Sequence, residues 1–285
     1  MEPFRFNLVW LASYPKSGNT WFRIFLTNYF RNEETPASIN NLDDAWISSS
    51  RGSFDHQYGL SSCEMTEGEI ELRRPALYDH WATLDTLTFH KAHDAYTYLP
   101  NGQPLMGNPK GQAALYFVRN PLDVAISYTH HNGHNDYGKT VHAMGHSQEG
   151  MSNGTHSFQM QLSQKLLTWS QHVLSWKKAP MPVHFIRYED MLQNTYSTFF
   201  KALEFLGVTP EKERLEKAIR FSSFEEVKKQ EQKEGFKEKP PKATVFFREG
   251  REKADKQTLL NYDQKNQLKR EHSKVMNLFG YSGPS

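Results

Sequence analysis

Apolar residues open the chain at Phe6, Leu8, Val9, Trp10 and Leu11, and a polar run from Ser13 to Thr20 follows at once. Apolar positions then return at 21, 22, 24, 25, 26, 29 and 30. This order predicts a strand, a tight loop and a largely buried helix, the opening of an α/β unit. Residues 31–64 are polar without a clear period and read as a loop-rich insertion. The stretch 66–83 predicts a helix interrupted at Pro75. Residues 86–90 form a short β-prone run into Lys91-Ala92-His93, and 101–111 is a Gly/Pro/Asn-rich loop.

Residues 113–119 (AALYFVR) predict a buried strand. Asn120 and Pro121 then suit the N-cap and first position of a helix, where proline loses nothing because that N–H is unpaired anyway. Residues 130–157, rich in Gly, His, Asn and Ser, read as a long loop, and such loops in compact domains are commonly functional. Leu162, Leu166, Trp169, Val173 and Trp176 alternate spacings of four and three and read as a helical stripe. Residues 182–188 (PVHFIRY) predict another strand, with helices over 194–206, 210–220 and 259–279. No internal repeat is visible. Strands followed by helices indicate an α/β fold with a central, mostly parallel sheet flanked by helices.

Composition narrows the function classes. The 285 residues carry 34 Lys+Arg against 32 Asp+Glu, a net charge of +2, so bulk charge does not mark a nucleic-acid binder. The 13% of aromatic residues argues against disorder. One cysteine, Cys63, excludes an intrachain disulfide and a cysteine-based zinc cluster. No apolar run reaches the ~20 residues of a membrane span, and residues 1–16 have neither a basic leader nor a small-residue cleavage site. A cytoplasmic location is the expectation. The segment 228–256 holds 10 basic and 6 acidic residues, and reads as charged and solvated for most of its lysines.

The first loop carries the clearest chemistry. Lys16, Ser17, Gly18 and Thr20 lie between strand and helix. Gly18 permits close backbone approach, the helix N-terminus favours an anion, and Lys16 adds charge. Such a loop suits a phosphate-like group, although a plain strand–helix turn has the same outline. An ATP-binding P-loop needs Gly just before the Lys, where Pro15 stands, and no strand ends in an obvious magnesium-binding Asp.

Residues 14–21 (YPKSGNTW) resemble the 5′-phosphosulfate loop of the soluble sulfotransferases, with Asn19 where Thr is usual. Residues 118–127 (VRNPLDVAIS) resemble that family's 3′-phosphate site, with Arg119 and Ser127 as the matching residues. Lys91-Ala92-His93 is similar to the family's Lys-Thr-His. Tyr188 matches a nucleotide-site tyrosine, and residues 222–227, with Ser222 and Phe224, match a segment flanking the adenine. Residues 246–250, with Phe247, Arg248 and Gly250, resemble the final Arg-Lys-Gly clamp, with Glu249 in place of Lys. The likeness runs from about residue 8 to 280 and implies one α/β domain over 1–285 with a P-loop-like phosphate site, 31–64 and 130–157 being insertions.

The resemblance implies 3′-phosphoadenosine 5′-phosphosulfate (PAPS) as donor and its bisphosphate PAP as product, with no metal required. His93 would be the base and Lys16 the group that stabilises the leaving oxygen. Lys91 would assist, and Ser127 would steer Lys16. Lys16, Ser17, Gly18, Asn19, Thr20, Trp21, Arg119, Ser127, Tyr188, Ser222, Phe224, Phe247, Arg248 and Gly250 would hold the donor. The acceptor would be a hydroxyl-bearing small molecule or natural product, with an amine the lesser alternative. A nucleotide-dependent kinase and a non-catalytic binder of nucleotides or sulfated ligands are the rival readings. Seven of the 13 histidines (130, 131, 134, 142, 146, 156 and 172) fall in or near the second insertion, which reads as a lid over the acceptor rather than a metal site. Neither the acceptor nor the oligomeric state is readable.

Overall fold

A computed structural model describes residues 5–42, 46–152, 159–240, 245–247 and 258–282. In chain order the elements are β1 (Leu8–Ser13), α1 (Asn19–Arg31), α2 (Arg51–Tyr58), a 3-10 turn (Ser62–Glu64), α3 (Glu67–Thr83), β2 (Thr88–Ala92), β3 (Gln112–Val118), α4 (Pro121–His131), α5 (Tyr137–Met144), β4 (Gly150–Met151), β5 (Gln164–Lys165), α6 (Trp169–Lys177), β6 (Val183–Arg187), α7 (Tyr188–Gln193), α8 (Thr195–Phe205), α9 (Lys212–Phe221), α10 (Phe224–Glu234) and α11 (Tyr262–Leu278). A parallel four-stranded sheet runs in the order β2-β1-β3-β6, and β4 pairs with β5 in a separate ribbon. Register is set along β1 and β2 from Leu8 opposite Thr88 to Ala12 opposite Ala92. Every residue of β1 and β3 is buried, as a central parallel strand requires. No helix among the described residues is long and apolar enough to cross a membrane.

The chain forms two compact units. The first comprises residues 1–14, 44–116 and 145–185, and the second 15–43, 117–144 and 186–285. In the first, Trp10 meets Tyr78 edge-on at 5.0 Å and donates its indole N–H to Gln112. Trp169 and Trp176 are fully buried there. In the second, Phe199 packs against Phe22 at 5.1 Å and Phe25 at 4.3 Å. Burying each such ring is worth roughly 1.5–3 kcal/mol.

Several predicted boundaries are corrected. The segment 31–64 is not all loop. Ser50 caps α2 by accepting the Ser53 N–H, and Gly59 ends it in a left-handed turn. The helix at 66–83 is continuous through Pro75, started by a Thr66–Glu69 capping box. The insertion 130–157 contains α5, whose Thr140, Val141 and Met144 are buried. The stripe from Leu162 is helical only from Trp169, where a Thr168–Gln171 capping box starts α6. Leu162 and Leu166 are buried outside any helix, and Leu167 has φ 59°. Tyr188 begins α7 rather than ending β6.

Candidate active site

Residues of the first loop are divided between the two units after Tyr14, and the second unit takes Pro15 onward. Within that second unit the chain turns twice through the left-handed region, at Lys16 (φ 70°) and Gly18 (φ 102°). Lysine adopts that region at a cost, and such strain clusters at functional sites. Gly18 is the N-cap of α1 and offers no side-chain cap, and no acidic residue lies in the first turn. The helix end therefore presents its N–H groups and partial positive charge with no carboxylate in its first turn to offset them. A Cβ at Gly18 would stand 2.7 Å from Tyr188 Cδ2, so only glycine fits against this ring.

Ser17 Oγ and Arg119 Nε are buried here without a hydrogen-bond partner among the described residues. Arg119 is otherwise fixed. Its Nη1 donates to the Lys16 carbonyl at 3.1 Å, and its guanidinium lies 4.2 Å over the Tyr188 ring. The next residue, Asn120, caps α4 with its side chain and donates its backbone N–H to the Glu189 carboxylate. Burial raises the Glu189 pKa, and the Tyr281 hydroxyl donates to the same group at 2.8 Å. Trp21 meets Tyr188 edge-on at 6.2 Å and donates its indole N–H to the Ser222 carbonyl.

The Lys16 ammonium lies 3.3 Å from His131 Nδ1 and 4.2 Å from the centre of the Phe246 ring. Phe246 is held in turn by Glu231, whose two carboxylate oxygens accept the N–H groups of Phe246 and Phe247 at 2.7 and 2.8 Å. Ser127 is half-buried on α4, four residues before His131. Asn19 is buried and Thr20 half-buried at the start of α1.

Other candidates have structural duties. The Ser222 hydroxyl is fully buried and donates to the Ala218 carbonyl at 2.8 Å. Phe247 sits in an apolar cluster with Ile24, Ile39, Val227 and Phe236, and Phe224 packs against that cluster. Arg248, Glu249 and Gly250 lie outside the described residues.

The first unit holds His93 and Lys91. Lys91 lies near the end of β2, its backbone bonded to Trp46 and Ser48. His93, directly after β2, is 7% exposed. Its Nδ1 is 2.8 Å from the Ser13 carbonyl and 3.3 Å from Ser13 Oγ. A carbonyl only accepts, so Nδ1 carries the proton and Nε2 is the basic nitrogen.

The backbone of this histidine is anchored by His172, which the sequence pattern groups with a distant loop rather than with this strand end. His172 Nε2 donates to the His93 carbonyl at 3.0 Å, so its Nδ1 accepts the Tyr116 hydroxyl proton at 2.7 Å. Burial keeps His172 neutral, lowering its pKa to about 4. The neighbouring Asp94 binds fully buried Arg74 through both carboxylate oxygens, at 3.2 and 2.5 Å. Burial opposes the Arg74 charge, yet Asp94 and Tyr78 hold its pKa above the ordinary value. Trp176 donates to the Asp94 carbonyl.

Comparison with known proteins identifies the family. The family model described as "Sulfotransferase domain" matches residues 7–280. Luciferin sulfotransferase of Photinus pyralis is 27% identical over 226 residues, covering 76% of this chain and 56% of that protein. The chain thus aligns with little more than half the length of that relative. Flavonol 3-sulfotransferase of Flaveria bidentis is 25% identical, covering 86% of this chain and 74% of its own. Mouse sulfotransferase SULT7A1, solved in complex with PAP, superimposes with a TM-score of 0.59 at 20% identity, covering 95% of this chain and 85% of its own. Retinol dehydratase, solved with androsterone and PAP, gives 0.60 at 17% identity, covering 95% and 80%. The strand–loop–helix cradle and the matched span together establish that this chain belongs to the sulfotransferase domain family.

Proposed function

We propose that the chain transfers a sulfuryl group from PAPS to a hydroxyl of a small organic acceptor. The observation that carries the reading is the pair of buried atoms without a hydrogen-bond partner among the described residues, Ser17 Oγ and Arg119 Nε, beside a doubly left-handed loop at the start of α1. Left-handed turns that gather N–H groups favour an anion, and a donor bearing phosphate groups fits that cradle.

Lys16, Ser17, Gly18, Asn19 and Thr20 would hold its 5′ end, Arg119 and Ser127 the 3′-phosphate, and Trp21 and Tyr188 the adenine. When bound, the donor supplies the activated sulfuryl group. The chain supplies the rest. His93 removes the acceptor proton at Nε2, the nitrogen left basic by the Nδ1–Ser13 bond. The Lys16 ammonium offsets negative charge growing on the departing oxygen.

PAP accompanies several of the solved structures that this chain resembles, and that supports the donor. Retinol and androsterone in the retinol dehydratase structures support a small organic acceptor.

The test is thermal stability with adenosine 3′,5′-bisphosphate, ADP or ATP–magnesium. A ligand at 100 times its Kd should stabilise by about 2.7 kcal/mol. A shift with the bisphosphate alone is expected. A shift with ATP–magnesium and none with the bisphosphate would replace this reading with a kinase. Bisphosphate binding without turnover on any hydroxyl panel would leave a non-catalytic binder.

A further inference from the structure

We infer that His131 is a positioning residue for Lys16, fixing the ammonium through its Nδ1; the inference rests on the sulfotransferase reading. An ammonium has donors only, so at 3.3 Å the imidazole nitrogen must accept. His131 therefore stands neutral, with its proton on Nε2. The Phe246 ring lies 4.2 Å from the same ammonium and meets the His131 ring nearly edge-on, at 6.2 Å and 76°.

Both ends of Lys16 are thus constrained. Its carbonyl accepts from Arg119, its backbone is left-handed, and its ammonium sits between an imidazole lone pair and an aromatic face. A lysine is a flexible point charge on a four-carbon stem. Catalysis by charge is strongest when the charge is already in place and nothing must reorganise. His131 supplies that restraint from α4, one turn after Ser127 and on the same face of the helix. The role also separates His131 from the other histidines of its segment. His130, next to it, is instead within 3.3 Å of the Tyr137 hydroxyl.

The experiment compares three variants of the full chain. His131→Phe keeps a flat ring and removes the acceptor. His131→Ala removes both. His131→Asn places an amide oxygen near the former Nδ1 and restores the acceptor. For Phe and Ala we expect kcat to fall about tenfold or more, with the KM for donor changed by less than about twofold. Asn should recover most of the loss, and melting temperatures should stay close to wild type. A role in packing alone would instead favour Phe over Asn.

A second readout needs no turnover. Imidazole 15N shifts should show His131 as the Nε2–H tautomer, and Lys16→Met should move them. Wild-type kcat in His131→Phe, or a proton on His131 Nδ1, would overturn the inference while a bisphosphate-binding, active wild type kept the functional reading. A wild type with neither bisphosphate binding nor turnover would remove both.

Discussion

Gly18 is the residue where backbone and site constrain each other most tightly. Its φ of 102° disfavours any side chain, and a Cβ would meet Tyr188 at 2.7 Å. The same Tyr188 ring carries the Arg119 guanidinium on its face. Gly18→Ala should therefore cost about 1–3 kcal/mol of stability and abolish the thermal shift with bisphosphate. A variant that still shifts like wild type would separate the loop from donor binding. His93→Ala should lower turnover by ~10²–10⁴-fold with the bisphosphate shift unchanged, measured at saturating donor. Retained turnover would assign the base elsewhere. His93 was reachable through the likeness of Lys91-Ala92-His93 to the family's Lys-Thr-His, helped by its place after a β-prone run. His131 and His172 were not, because their contacts join residues 115 and 79 positions apart.

At the level of elements, the end of β2 depends on helices far from it in sequence. Arg74 of α3 binds Asp94, and His172 and Trp176 of α6 bind the carbonyls of His93 and Asp94. Breaking a fully buried pair leaves one charge uncompensated, at about 3–5 kcal/mol. Asp94→Asn should thus destabilise the protein strongly in urea unfolding, whereas Arg74→Met with Asp94→Leu should recover much of the loss. If the single change costs under about 1 kcal/mol, the pair does not carry this strand end. The legible elements were those whose burial fills one face or both, such as β1 and β3. Helix α2 buries only Phe54, too little apolar signal to outweigh its polar surroundings. Leu162 and Leu166 misled in the opposite way: both are buried at helical spacing, yet β5 lies between the two and the turn at Leu167 separates them from α6.

For the whole molecule, buried imidazoles set the response to acid. Burial lowers the pKa of His90 to about 3 and of His172 and His272 to about 4. An unfolded chain protonates these groups near 6.5, so it binds more protons than the folded one between roughly pH 4 and 6.5. Their contribution is complete above that range and is lost as pH falls through it, at up to about 1.4 kcal/mol per pH unit for each group. Glu189 acts in the other sense: burial raises its pKa, so its contribution declines as pH rises past the ordinary carboxylate range. Denaturation midpoints should fall from pH 7 to 5. His90→Phe should flatten that fall while keeping the stack on Trp81, now at 3.9 Å. A slope unchanged by this substitution would mean that His90 is charged in the native protein. The Arg74–Asp94 pair has a consequence in time as well. Removing two charges from water is offset only once α3, β2 and α6 are all in place, so the His93 backbone should reach its final position late in folding. After dilution from denaturant, the burial of Trp169 and Trp176 on α6 and the return of catalytic turnover should therefore share one slow phase.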